Sequence, residues 1–193
     1  VDHGSDGSPV TAVPDANHHF AQWSDGVLTA TRTDTNVVAN LSVTAEFAID
    51  TYTLSYTAGA NGSISGNTPQ TVDHGSDGSP VTAVADANYH FHSWSDGYPT
   101  ATRTDLNVTG NLSVTANFEI DNYVLIYNGG PHGSISGVSA QTVNHGADGS
   151  PVTAVPDPNY HFVQWSDGVL TATRTDTNVM ADLNVTAQMA IDT

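Results

Sequence analysis

The chain has 193 residues, a formal net charge of −17 and no cysteine. Without cysteine, disulfide frameworks and thiolate metal sites are excluded. With 20 acidic residues against three basic ones, nucleic acid and anionic membrane surfaces are disfavoured as partners. The lack of lysine also excludes isopeptide cross-links, and cations are the one class of partner that the charge favours.

One motif repeats along the whole chain. VDHGSDGSPVTAV starts at Val1, recurs at Val72, and returns at Val143 as VNHGADGSPVTAV, a spacing of 71 residues. The segments 1–50, 72–121 and 143–192 align without a gap, separated by two matching inserts, 51–71 and 122–142. Tandem copies are typical of stalks and arrays rather than of enzymes. Because the chain starts within a motif, we expect it to be a segment of a longer polypeptide.

The elements predicted along the chain are short strands. Apolar and polar residues alternate from Leu41 to Ile49, which places one face of a sheet towards a core. A second strand, Tyr52–Thr57, leads into a turn at 59–62 whose glycines are expected to supply positive φ. The remaining predicted strands are Ser63–Ser65, Gln70–Asp73, Pro80–Val84, Tyr89–Trp94, Asn111–Ile120 and Leu183–Ile191. No long run has helical spacing, so the chain is predicted to be mainly β.

Large apolar side chains predict where the core lies. Phe91 and Trp94 are three residues apart in one strand, so a bulge is needed for both to point inward. Only Asp121-Asn122 connects one repeat to the next, which predicts stiff joints and an elongated rod. The predicted core comprises Phe20, Trp23, Phe47, Phe91, Trp94, Phe118, Phe162 and Trp165.

Each repeat carries a single cation, at Arg32, Arg103 and Arg174. In the second repeat Arg103 is predicted to form a structural ion pair with Asp105 or Asp96, fixing the loop after the tryptophan. Binding of an external carboxylate is the weaker alternative.

Acidic residues among glycines suggest a calcium site, because calcium takes six to eight oxygen ligands. The plain alternative, which we favour, is a turn in which aspartates cap their own backbone. The candidate calcium ligands are Asp2, Asp6, Asp73, Asp77 and Asp148. No other cofactor is expected.

No catalytic constellation is visible, so the chain is predicted not to be an enzyme. The only glutamates are Glu46 and Glu119, and there is no nucleophile elbow or phosphate loop. Glycan binding through Tyr98 or Tyr160 is an alternative, although valine replaces Tyr98 in the other copies.

The strings YTLSYTAGANGSISG, YHFHSWSDG and NVTGNLSVTANF resemble the divergent InlB B-repeat, or Listeria-Bacteroides repeat, of bacterial surface proteins. The resemblance implies small β-grasp, ubiquitin-like units of about 71 residues, used in tandem on secreted and cell-surface proteins. This chain departs from better-known members by its lack of lysine and of a convincing helix. In this frame residues 1–50 are a partial repeat without its first hairpin, and 51–121 and 122–193 are full repeats. The alternative frame starts units at Val1 and shortens the last one.

These observations predict a non-enzymatic, extracellular or cell-surface module that acts as a stalk, spacer or fibre-forming adhesive element. The alternative is a glycan- or ligand-binding adhesin, stabilised by calcium. The incomplete first repeat is expected to be completed by preceding sequence or by a like chain through strand addition.

Overall fold

A computed structural model describes the whole chain, Val1–Thr193, and it contains strands but no helix. The prediction of a mainly β tandem-repeat protein is therefore confirmed. Its Thr- and Val-rich alternating segments form strands because β-branched side chains pack well on a pleated surface.

The strands are short and recur in the same order in each repeat. The first repeat holds β1 (Val10–Thr11), β2 (His18–Trp23), β3 (Thr31–Arg32) and β4 (Ala45–Ile49). The second holds β5 (Thr51–Ala58), β6 (Gly62–Ser65), β7 (Gln70–Asp73), β8 (Val81–Ala85), β9 (Tyr89–Trp94), β10 (Thr102–Arg103) and β11 (Leu112–Ile120). The third holds β12 (Asn122–Asn128), β13 (Gly133–Ser136), β14 (Ala140–Asn144), β15 (Val152–Pro156), β16 (Tyr160–Trp165), β17 (Thr173–Arg174) and β18 (Leu183–Ile191).

The chain divides into two compact units, and the second repeat contributes to both. The first unit comprises Val1–Gly59, Ser63–Val84 and Ser93–Ala116. The second comprises Ala60–Gly62, Ala85–His92 and Asn117–Thr193. The domain boundaries expected from the sequence, at residues 51 and 122, stay a prediction.

Within the second unit, the third repeat has two sheets. The larger has the strand order β14-β12-β18-β16, and the smaller has the order β13-β15-β17. The first and last strands of the repeat, β12 and β18, lie side by side and parallel, with Leu125 opposite Leu183 and Tyr127 opposite Val185. All other pairings in this repeat are antiparallel.

Residues from both sheets form the core of the third repeat. Leu125 and Trp165 are fully buried, and Val152 and Ala154 of the smaller sheet belong to the same cluster. The Trp165 and Tyr127 rings meet edge to face, with their centroids 6.0 Å apart. In a β-grasp a helix would complete this core, whereas here the smaller sheet contributes to it. The β-grasp assignment stays a prediction.

The glycine-rich turn after the first strand differs from the predicted hairpin. At residues 59–62 the positive φ belongs to Asn61, at 69°, not to a glycine, because asparagine tolerates the left-handed region. The strands flanking this turn also do not pair: β5 lies beside β7 and β11, whereas β6 joins the sheet of β8 and β10. The turn carries the chain from one sheet to the other, so the first-hairpin description was wrong.

The first and third repeats have a bulge in the strand equivalent to β9, whereas the bulge predicted between Phe91 and Trp94 stays a prediction. The pairing of β16 with β18 shifts register between Phe162 and Gln164, and that of β2 with β4 shifts between Phe20 and Gln22. This extra residue allows the phenylalanine and the tryptophan three positions later to approach the same core. Their ring centroids are 5.8 Å apart for Phe20 and Trp23.

The first repeat, in the first unit, forms only two-stranded sheets, β1-β3 and β2-β4. The strand predicted from Leu41 begins only at Ala45, so its first four residues were assigned wrongly. Phe47, predicted in the core, is 42% exposed. No strand of the β5 type lies beside residues 41–45, and no glycine equivalent to Gly62, which lies against Phe118 in the second repeat, covers Phe47.

Candidate functional site

A tight turn follows the tryptophan in every repeat. In the second repeat β9 ends at Trp94, and the Gly97 N–H donates to the Trp94 carbonyl at 2.9 Å, with φ +82° at Gly97. The Trp94 indole N–H donates to the Thr100 carbonyl at 3.0 Å. These bonds fold the loop back over the indole, which places Asp96 and Arg103 close to it. Trp23, Trp94 and Trp165 are all buried, whereas Phe20, Phe91, Phe118 and Phe162 are half-buried.

The arginine of each repeat is buried between two aspartates and an aromatic surface. Arg103 donates two hydrogen bonds to Asp96, at 3.0 and 2.9 Å, and two to Asp105, at 3.1 and 2.7 Å. Its guanidinium carbon lies 5.1 Å from the centroid of the Trp94 ring. Arg32 and Arg174 bind the equivalent pairs of aspartates. Four donated bonds leave little capacity for an external carboxylate, so this cluster ties the loop to the core.

A tyrosine that sequence reasoning did not assign completes the cluster. The Tyr56 hydroxyl donates to Asp105 at 2.6 Å, and the Tyr127 hydroxyl donates to Asp176 at 2.7 Å. Burial, assisted by the hydrogen bond to the aspartate, raises the pKa of both phenols above the ordinary range. The signal in the sequence was that Tyr56 alternates in phase with the buried Leu54.

Acid is expected to destabilise the fold through these aspartates. Hydrogen bonds from arginine lower the pKa of Asp25, Asp96 and Asp167, and burial opposes this only in part. A carboxyl group whose pKa is lower in the folded than in the unfolded protein stabilises the fold. This contribution is complete above the unfolded aspartate pKa of about 3.9 and is lost as the pH falls through the pKa of the folded protein. We therefore expect the thermal midpoint to fall as the pH drops below about 4.

Circular dichroism melts between pH 7 and pH 2 would measure this midpoint. Protonation also relieves repulsion within a chain of net charge −17, so the series should be run at about 0.5 M salt, which screens that repulsion. A midpoint that rises on acidification at high salt would contradict the assignment.

The candidate calcium ligands do not converge: Asp73 ends β7, and the other four lie outside the strands. Asp6, Asp77 and Asp148 each accept a hydrogen bond at 2.8 Å from the backbone N–H of an asparagine 30 residues later. Asp2 and Asp73 each accept a bond from a serine N–H three residues later through their backbone carbonyls. No group of three or more His, Cys, Asp or Glu residues is arranged to hold a metal ion. The side chains of Asp6, Asp77 and Asp148 therefore bind the backbone of a distant loop rather than that of their own turn, and calcium binding stays a prediction.

The tyrosines considered for glycan stacking already contact other rings or charges. The Arg103 guanidinium lies 4.7 Å from the Tyr98 ring centroid. Tyr160 stacks on His132, with centroids 4.1 Å apart and planes within 8°. Neither arrangement recurs in all the repeats, so no repeated aromatic platform faces solvent.

A single aspartate joins each repeat to the next. In the first unit, β4 ends at Ile49 and β5 begins at Thr51, so Asp50 alone connects them. Its N–H donates to Asn17 at 2.9 Å, and its side chain lies 3.0 Å from the His19 ring nitrogen, both within the first repeat. Its carbonyl accepts from the N–H of His74, in the second repeat, at 2.7 Å.

The second joint, within the second unit, has the same bonds. The Asp121 N–H donates to Asn88 at 2.9 Å, its carboxylate lies 3.0 Å from the His90 ring, and its carbonyl accepts from His145 at 2.7 Å. The His145 ring lies against Tyr123, 5.8 Å between centroids. Asn122, expected in the connector, lies in β12. A connector held at three points has no free backbone on which to swing.

A family model for the divergent InlB B-repeat domain matches residues 1–51, 52–122 and 123–192. The chain belongs to the divergent InlB B-repeat family. InlB B-repeats are typical of bacterial surface proteins and are generally non-catalytic. No match was found among curated proteins or among solved structures. These InlB B-repeats contain no helix that is long and apolar enough to cross a membrane.

Proposed function

We propose that this chain is a stalk or spacer segment of an extracellular bacterial surface protein, in which hydrogen-bonded joints hold successive InlB B-repeats in a constant relative orientation. Each repeat does the same work, and the number of repeats sets the distance over which another module is held. The single observation that carries the proposal is the one-residue joint, at Asp50 and again at Asp121, bonded on both sides.

The bonds at Asp50 explain why the joint resists bending. Its N–H and carboxylate are bound to the first repeat, while its carbonyl is bound to the second. Rotation about this residue would break at least one backbone hydrogen bond, a net loss of about 0.5–1.5 kcal/mol for each bond. The strands on either side continue without a glycine or proline between them.

The distribution of distances between two spin labels would test the proposal. The chain has no cysteine, so Leu28→Cys in the first repeat and Leu106→Cys in the second, both exposed, give unique labels within the first compact unit. We expect a single narrow distance distribution. A control pair within the first repeat, Val13→Cys with Leu28→Cys, reports the width that the labels themselves contribute.

A matched variant carries Gly-Ser-Gly-Ser inserted after Asp50, which should broaden the distribution by freeing the joint. If the unmodified chain already gives a distribution as broad as that of the insertion variant, the joints are flexible and the stalk proposal fails.

A further inference from the structure

We propose that the second repeat binds one divalent transition-metal ion, such as Zn²⁺, through the ring Nε2 atoms of His90 and His92. Both histidines lie in β9, on either side of Phe91. Alternate residues of a strand point to one face of the sheet and lie about 6.6 Å apart, a distance that two imidazole rings span by leaning towards one ion. This inference goes beyond the stalk proposal and does not depend on stiff joints.

The histidine pair faces solvent. The side chains of His90 and His92 are 46% and 53% exposed. Phe91 between them points to the opposite face, where it is half-buried and packs on Phe118, with ring centroids 6.3 Å apart. A hydrated metal ion therefore reaches both histidine rings without any change in the core.

Two carboxylates hold the histidine rings through Nδ1. The His90 Nδ1 lies 3.0 Å from the Asp121 carboxylate. The His92 Nδ1 lies 3.3 Å from the carboxylate of Glu119, in the neighbouring strand β11. A carboxylate beside Nδ1 favours the tautomer that carries its proton there and leaves a lone pair on Nε2. Metal-binding histidines in proteins almost always donate their other ring N–H in this way, so both rings have the setting of metal ligands.

The other repeats keep one histidine–aspartate pair each but lack both the second histidine and its carboxylate. The His19 ring nitrogen lies 3.0 Å from Asp50, and that of His161 lies 2.9 Å from Asp192. Alanine or valine stands at the two remaining positions, as Ala21, Ala48, Val163 and Ala190. A second imidazole and the carboxylate that orients it therefore occur together in one repeat, the second.

The ligand type and the charge select the ion. Imidazole nitrogen suits Zn²⁺, Cu²⁺ and Ni²⁺, whereas Ca²⁺ and Mg²⁺ take oxygen ligands. Because no group of three or more His, Cys, Asp or Glu residues is arranged to hold a metal, the protein supplies two ligands and water completes the coordination. The net charge of −17 attracts cations to the chain. Such a site exchanges its ion readily, unlike a closed structural zinc site.

Titration calorimetry of the full chain with ZnCl₂ at neutral pH tests the inference. We expect one Zn²⁺ per chain, with saturation below about 1 mM. Histidine-ring ¹⁵N NMR spectra recorded along the titration should show the Nε2 signals of His90 and His92 shifting together. The signals of the other seven of the nine histidines should stay in place.

Two matched variants locate the ion. His92→Gln removes one ligand at an exposed residue, so the repeat still folds, and it should weaken Zn²⁺ binding at least tenfold. His161→Gln removes a similarly exposed histidine that has a carboxylate partner but no second histidine, and it should bind Zn²⁺ normally. Equal Zn²⁺ affinity of these two variants would overturn the proposal.

A gain of binding in the third repeat is the complementary test. Val163→His with Ala190→Glu reproduces the second-repeat arrangement around His161, and Val163 is 43% exposed. We expect this variant to bind two Zn²⁺ per chain, with its circular dichroism unchanged. Absence of binding to the unmodified chain at about 1 mM Zn²⁺ would overturn the proposal. Three ions per unmodified chain would also overturn it, by showing that single histidine–aspartate pairs suffice.

Discussion

Replacing Trp165 with alanine is expected to lower the free energy of unfolding of the third repeat by about 3–5 kcal/mol. The Trp165 side chain is fully buried, packs edge to face on Tyr127, and donates its indole N–H to the Thr171 carbonyl at 3.1 Å. Its removal leaves a cavity between the two sheets and an unpaired carbonyl. Small β repeats have little stability in reserve, so this loss should unfold most of the third repeat.

Hydrogen exchange resolved along the chain is the suitable measurement, because tandem repeats do not unfold in a single step. We expect exchange to accelerate in β12–β18 and to change little in the first repeat. Trp23→Ala is the matched control: Trp23 is 8% exposed, and its repeat lacks the first-strand leucine and tyrosine, so its loss should destabilise less. Equal losses of stability in the two repeats would show that the contribution of the tryptophan does not depend on a strand of the β12 type.

Replacing Arg174 with methionine is expected to lower the stability of the third repeat by about 2–3 kcal/mol, because Asp167 and Asp176 then lose their only cation. Breaking a fully buried pair costs about 3–5 kcal/mol. The expected value is smaller because water reaches both carboxylates, whose side chains are 33% and 23% exposed.

Removing the charges as well should recover most of this loss. In the variant with Arg174→Met, Asp167→Asn and Asp176→Asn, no charge is left unpaired, and the amide oxygen introduced at position 176 can still accept the Tyr127 hydrogen bond. Hydrogen exchange in β16–β18 would compare the variants. If the triple variant is less stable than Arg174→Met alone, the arginine contributes through packing on the Trp165 ring rather than through charge.

Local patterns in the sequence predicted much of the secondary structure. Alternation from Leu112 to Ile120 depends only on the two-residue period of a strand, so β11 lies where it was expected. The Trp-Ser-Asp-Gly turn and the ion pairs of Arg103 with Asp96 and Asp105 each involve residues within nine positions of one another, and their chemistry constrains the partners closely. The one ambiguity, whether Arg103 binds Asp96 or Asp105, was resolved by geometry: it binds both.

Contacts between residues that are far apart in the chain could not be predicted from the sequence. The hydrogen bond from Tyr56 to Asp105 spans 49 residues, and that from Thr53 to Asn111 spans 58. The glycine-rich turn has the local pattern of a hairpin, but its flanking strands belong to different sheets: β5 pairs with β7 and β11, and β6 with β8. Pairing partners depend on the assembled core, which no local pattern specifies.

The sequence by itself determined that this protein is a tandem array of β repeats, since the exact repetition and the alternation are properties of the chain. Only the tertiary structure decided which of those segments become strands. LSVT is a strand at residues 112–115 and is not one at 41–44. The physical reason is that an isolated strand cannot satisfy its backbone hydrogen bonds or bury its apolar face without a neighbour. In the second repeat β5 is that neighbour, and no strand lies beside residues 41–44.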